Sequence, residues 1–255
     1  MTIDGGRRWL LALGLSACVA AAGAEPAAPE AKPAQPAAAE EPVKFSEAEN
    51  LLWMTDQLRS VRAPMVIKYA FEKTGSFEDG FKDSVEFRVK ELKSDGTKSA
   101  TLNFFSGERH FPVPDSESTT VNPVLGVFFQ GDVYEMNRLT DDKGAARERW
   151  RYFQRRIKFA LAEAATVKPV TLEFAGKKFE GKEVVIQPYT KDPHRDLFKR
   201  FADKTYTVTV ADELPGYLYR IQTFVPGEKP DAPPLIQETL QLVSAEPDSG
   251  KTAKN

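Results

Sequence analysis

The chain is poor in the residues that carry most enzyme chemistry. In 255 residues it has one cysteine and two histidines. A single cysteine closes no internal disulfide, so the fold must be held by its core. His110 and His194 are about 84 positions apart, and neither has an acidic or histidine partner at the spacing of a helical metal site. Both read as surface histidines, His194 at a helix start after Asp192-Pro193, and no metal is expected. There is no Gly-x-Ser-x-Gly elbow, no phosphate-cradling loop and no dinucleotide fingerprint, so neither a hydrolase nor a cofactor enzyme is indicated. The acid pairs Glu40-Glu41 and Asp141-Asp142 fall in linker and loop positions rather than in the fixed cleft that two carboxylates need to hydrolyse a sugar. The net charge of −2 offers no basic excess to neutralise phosphates, which excludes nucleic acid as a partner. Beyond the N-terminus, charges interrupt every apolar run before it reaches the length of a membrane span.

What is present begins with an export signal over residues 1 to 24. Arg7 and Arg8 precede an apolar run, Trp9 to Leu15, and then small residues. Three processing routes are open. Leu15-Ser16-Ala17-Cys18 matches a lipobox ending at Cys18, Ala22-Gly23-Ala24 suits ordinary signal peptidase, and Arg7-Arg8 loosely fits a twin-arginine signal. The lone cysteine sits at the lipobox position, and lipidation would remove a free thiol from an oxidising compartment. Cys18 is therefore the expected lipidation site and a membrane anchor. Val19 behind it favours the outer membrane by analogy with enterobacterial lipoproteins. Residues 19–43 are almost wholly Ala, Pro and Glu. Five of the chain's 18 prolines lie there and no aromatic does, so the segment reads as an extended tether. At roughly 3 Å per residue it could span several tens of ångströms.

Residues 44–246 are long enough for one domain with a real core, and 247–255 read as a polar tail. Ser46 and Glu49 form a capping box that opens an amphipathic helix over 46–61, with Leu51, Met54, Leu58 and Val61 on one face and Pro64 ending it. Met65 to Phe71 alternate as a strand, as do Val85 to Val89, and Asp95-Gly96 turns the chain into Ala100–Phe104. Asn122-Pro123 starts a helix, although Gly131 weakens it. A second helix runs from about Ala145 to Ala165, with Trp150, Phe153, Ile157, Ala160 and Leu161 as its apolar stripe and a solvated basic stripe on Arg147, Arg151, Arg155 and Lys158. Strands at 170–174 and 183–187 flank a turn-rich stretch at 175–181, and a short helix ends near Phe201. Strands at 206–210 and 217–224 flank Leu214-Pro215-Gly216, and Ile236, Glu238, Leu240 and Leu242 share one face of the last strand. The fold class is α+β: eight or nine strands in hairpins with helices at the start and middle, and no βαβ alternation.

Helix, meander, helical pair, hairpins: this order, on an exported and tethered chain, resembles the LolA/LolB family of periplasmic lipoprotein carriers. The resemblance spans most of residues 45–245 and rests on element order, so no binding residue is carried over from it. It implies a half-barrel, a curved antiparallel sheet under covering helices whose apolar concave face holds acyl chains. The residues' own pattern offers Tyr69, Phe71, Phe87, Phe104 and Phe128 as the apolar lining. Phe104 and Phe105, as strand neighbours, are expected on opposite faces. The expectation is an exported, lipid-anchored protein of the periplasm, tethered to the outer membrane, that binds a lipid, an acyl chain or a lipidated protein without catalysis or cofactor. The alternatives are an accessory lipoprotein of an envelope complex, with a packed core and a protein partner, and a hydrolase of envelope material.

Overall fold

The computed structural model describes residues 44–141 and 149–249. Cys18, the tether and Arg147 lie outside them. Nine antiparallel strands make one open, curved sheet: β1 (Met65–Thr74), β2 (Phe81–Leu92), β3 (Lys98–Phe104), β4 (Ser116–Thr119), β5 (Thr166–Phe174), β6 (Lys177–Ile186), β7 (Thr205–Val210), β8 (Leu218–Val225) and β9 (Ile236–Pro247). Their order is β4-β3-β2-β1-β9-β8-β7-β6-β5. All connections but one are to a neighbouring strand. The exception joins the two edges: the chain leaves at β4, forms α2 (Pro123–Thr140) and α3 (Arg149–Glu163), and re-enters at β5. Because the connection must travel from one edge of a curved sheet to the other, it lays both helices across one face. That face is the buried one. Along β1, Ile67, Tyr69, Phe71 and Lys73 are buried while Lys68, Ala70, Glu72 and Thr74 are exposed. This is the half-barrel plan of the α+β class expected from the element order.

The local signals work as chemistry predicts. Asp95 Oδ1 accepts hydrogen bonds from the Thr97 amide and hydroxyl at 2.9 and 2.7 Å, and Gly96 takes φ +87°, so the Asp-Gly pair turns β2 into β3. The Asn122 carboxamide caps α2 by accepting from the Val124 amide at 3.1 Å, and Pro123 occupies the first helical position. Gly131 does not interrupt α2, which runs unbroken for 18 residues.

Strand β5 begins at Thr166 rather than 170, β4 is an added edge strand, and four further boundaries differ from the sequence reading for local reasons. The capping box on Ser46 and Glu49 forms as expected, but the helix it opens is short: α1 (Glu47–Glu49) passes into a π-turn segment (Asn50–Met54) and stops. The Thr55 amide and hydroxyl both donate to the Asn50 carbonyl, and Asp56 Oδ1 accepts from the Leu58 amide, so side chains unwind the helix nine residues before Pro64 can. Leu58 and Val61 are still buried, by the turn rather than by helical periodicity, while Met54 is 53 % exposed. In the stretch 175–181 only Ala175 and Gly176 turn, both at positive φ, and Lys177 already pairs with Phe174. The helix near Phe201 is a 3-10 segment (Arg195–Phe201) broken at Lys199, whose φ is +48°. At the C-terminus β9 takes in Pro247, and the Asp248 amide donates to the Pro64 carbonyl, so the sheet claims the first residues of the expected tail.

Candidate functional site

Helix α2 is the wall between two hollows. Asn122 fastens its start to the sheet. The Asn122 amide donates to Gln57 Oε1 at 2.9 Å, and its carboxamide nitrogen donates to the Tyr69 hydroxyl and the Gly216 carbonyl, each at 2.8 Å. Four and nine residues further on, the helix carries two glycines in its interior, Gly126 and Gly131, each of which costs about 1 kcal/mol relative to alanine. A Cβ placed on Gly126 or on Gly131 would meet no atom within 4 Å. Each glycine thus opens on empty space, and the two spaces lie on different sides of α2.

Gly126 opens on a groove of about 490 Å³ between α1 with its π-turn, α2 and α3. Its apolar lining is Trp53, Met54, Phe129, Val133, Ile157 and Leu161. Phe129 forms the floor, its ring between Trp53 at 6.0 Å and Tyr206 of β7 at 5.8 Å. The volume is in the range of pockets that hold ligands of drug or lipid size. Of the polar groups on the rim, Glu49 is committed to its capping box, accepting from the Ser46 amide at 2.9 Å.

Gly131 sits at the mouth of a smaller cavity, about 160 Å³, between α2 and strands β1, β2, β3 and β9. Its walls are Phe71, Phe81, Phe104, Phe105 and Phe128. Three of the five aromatics expected to line a ligand cavity therefore meet here. The other two do not: Tyr69 and Phe87 are fully buried within the packed core, and the Tyr69 hydroxyl is taken by Asn122. The expectation that Phe104 and Phe105 face opposite ways is overturned. Strand β3 ends at Phe104, Phe105 adopts φ +64°, and the left-handed residue breaks the alternation. Both rings then lie on one side, 4.5 Å apart, with Phe71 4.7 Å from Phe105.

Sequence reading missed the charged end of this cavity. Across the sheet, register places Phe81 beside Lys73, Lys73 beside Glu238, Glu238 beside Thr223, and Thr223 beside Tyr206. Helix α2 lowers Asp132 and Glu135 onto this row. Lys204 pairs with Asp132, which also accepts from the Tyr206 hydroxyl at 2.6 Å, and Tyr206 in turn lies 3.1 Å from the Tyr189 hydroxyl. Lys73 donates to Glu135 at 2.6 Å and to Glu78 at 3.2 Å, and Arg138 bridges the same two carboxylates. Burial pushes the Glu135 carboxyl up, but hydrogen bonds from Arg138 and Lys73 outweigh it and hold the group at about 2. Burial pulls Lys204 down, but Asp132 and Glu238 more than offset it, so Lys204 stays charged. Glu238 is the exception. Burial raises its carboxyl above the ordinary range, and the neighbouring lysines do not reverse that. One signal could have found it: Glu238 stands among Ile236, Leu240 and Leu242 on the inward face of β9.

Neither histidine lines either hollow. His194 stands at the start of the 3-10 segment, its amide donating to Asp192 Oδ1 at 2.7 Å, and exposed His110 lies 3.3 Å from the Phe105 carbonyl. The Arg149 guanidinium donates to the Thr140 and Leu197 carbonyls, and Arg156 pairs with Asp192, so part of the α3 basic surface ties helices to loops. Among the described residues, no group of three His, Cys, Asp or Glu side chains could hold a metal ion, and no helix is long and apolar enough to cross a membrane.

No protein-family model matches the chain, and no curated protein matches it. Solved structures do. The chain is similar to LppX, a lipoprotein of Mycobacterium tuberculosis, at 12 % identity over 79 % of this chain and 97 % of that one, with a TM-score of 0.33. It is similar to a chain of the Pseudomonas aeruginosa MucA/MucB complex at 12 % identity over 79 % of this chain, with a TM-score of 0.35, and it spans only 57 % of that chain's length. A LolA superfamily protein from Nitrosomonas europaea matches at 10 % identity over 79 % and 93 % of the two chains, with a TM-score of 0.23. The half-barrel assignment itself rests on the strand order, the curvature of the sheet and the helices laid across one face.

Proposed function

We propose that this is an exported, lipid-anchored envelope protein that binds an apolar chain, of a lipid or of a lipidated protein, and performs no chemistry on it. One observation carries the proposal: the groove beside Gly126, about 490 Å³ and walled mainly by Trp53, Met54, Phe129, Val133, Ile157 and Leu161. Helix α2 keeps a glycine where alanine would be more stable, and the space gained is apolar, which suits a ligand that is sequestered rather than transformed. The seat proposed is between the three helices rather than between helix and sheet, where the cavity of about 160 Å³ is the size that takes a single six-carbon ring. Native mass spectrometry of the protein purified from its own envelope tests this. The expected spectrum contains a species heavier than the chain that releases an alkyl-bearing molecule on activation. A spectrum of bare chain only, after mild extraction, would refute binding.

A second reading follows from the sheet side. Tyr69, Phe87 and Tyr206 are fully buried and leave little room under α2, as in a scaffold whose groove receives apolar side chains of a protein partner in an envelope complex. A co-purifying polypeptide in place of a lipid distinguishes it.

The anchor is proposed at Cys18, followed by the tether of residues 19–43, with the outer membrane as destination. Labelling cells with a fatty-acid analogue should mark the wild-type chain and leave Cys18→Ala unlabelled. Equal labelling of the two, or none in either, contradicts the anchor.

A further inference from the structure

We infer that the cavity beside Gly131 is a binding site for a small organic cation, a quaternary ammonium or alkylammonium group, independent of the groove on the other side of α2. Two independent features coincide there. The first is five phenylalanine rings around about 160 Å³ of space that opens at Gly131. Ring faces carry negative potential, and an aromatic-walled box is the recognised way to hold an ammonium group that has shed its water. The protein already uses one of these rings so: the Arg109 guanidinium lies 4.4 Å from the centre of Phe81.

The second feature is a carboxylate in excess of the cations around it, at the inner end. The charged groups facing it are Lys73 on β1, Glu78 after it, Asp132, Glu135 and Arg138 on α2, Lys204 ahead of β7, and Glu238 on β9. Lys204 is matched by Asp132, while Lys73 and Arg138 are matched by Glu78 and Glu135, at 2.6 to 3.2 Å. Glu238 is left over. It accepts from the Thr223 hydroxyl at 2.7 Å, and the nearest ammonium, on Lys204, is 3.8 Å away. The cluster is therefore one positive charge short when every group is ionised. A carboxylate only 8 % exposed at the end of an aromatic cavity is stabilised by an incoming cation, and an anion there is repelled. Burial favours the protonated form of Glu238 while the site is empty. Cation binding releases that proton, so affinity should rise with pH through the raised Glu238 range and level off above it.

Isothermal titration of the full mature protein with tetramethylammonium, tert-butyl alcohol and methanesulfonate, all small enough for about 160 Å³, tests this. The cation should bind at least about tenfold more tightly than the alcohol, and the sulfonate least. Glu238→Gln keeps the shape, removes the surplus charge and should fold, and in it the cation should lose that preference while the alcohol is unchanged. Gly131→Leu should exclude all three by filling the mouth, and Gly126→Phe should leave all three unaffected. Equal affinity for cation and alcohol in the wild type, or a preference that survives Glu238→Gln, would overturn the inference without touching the groove. Binding lost in Gly126→Phe but retained in Gly131→Leu would move the ligand to the groove and overturn it as well.

Discussion

Lys204→Met is expected to destabilise the domain by about 3–5 kcal/mol, the range found when one member of a buried ion pair is removed. Lys204 is 1 % exposed, and its ammonium is the counter-charge of Asp132 beneath α2. Methionine fills the space but leaves Asp132 buried with only the Tyr206 hydroxyl, and deprives Glu238 of its nearest cation. For a domain of this size each kcal/mol shifts the melting temperature by about 2–4 °C, so a fall of about 10 °C is expected. The companion Lys204→Met with Asp132→Leu removes both charges and should recover most of the loss, because the larger part of the penalty is a stranded carboxylate rather than a lost bond. Chemical denaturation of the three proteins at neutral pH measures both changes. A single variant within about 1 kcal/mol of wild type would mean that water reaches Asp132 and that the row is not a buried network.

Gly126→Phe should abolish uptake of an alkyl chain, weakening it at least about a hundredfold, while the fold becomes no less stable. A Cβ there meets no atom within 4 Å, so the side chain starts into open groove space, and the helix loses a glycine. Gly126→Ala is the control. It should gain up to about 1 kcal/mol of stability and keep most of the binding, because one methyl group occupies little of about 490 Å³. Loss of binding together with retained stability separates a filled site from a damaged one. If Gly126→Phe binds as the wild type does, the chain sits elsewhere.

What could be read from the sequence is what local chemistry decides. Ser46 with Glu49, Asp95 with Gly96 and Asn122 with Pro123 each hold their partners within a few residues, and each forms as expected. Strand alternation gave the buried face of β1, and the order of elements gave the half-barrel. Where the first helix stops was hidden, because Thr55 and Asp56 compete with the helix through side-chain hydrogen bonds that periodicity does not register. Phe105 was misplaced because a single left-handed residue cancels the period-two rule at a strand end. None of the five expected aromatics lines the groove beside Gly126, and three of them line the cavity beside Gly131. Phe71, Phe104 and Phe128 do converge, and Glu238 stood plainly on the apolar face of β9. Its neighbour Lys73 lies on the first strand, and only the pairing of β1 with β9, 165 positions apart in sequence, brings the two together. Long-range register of that kind leaves no local trace. The two glycines were readable only as weak points of a helix, whereas their meaning lies in what surrounds them.

The proposed seat of the apolar chain is the groove between α1, α2 and α3. Trp53 lines that groove, and Trp150 is the only other tryptophan after Trp9. In Trp150→Phe, titration with a fatty acid brominated along its chain should quench most of the Trp53 emission, in a saturable way, and Gly126→Phe added to it should remove the quenching. Trp53 emission that stays unchanged while the brominated chain binds, or that is quenched equally in the Gly126→Phe variant, would contradict the account.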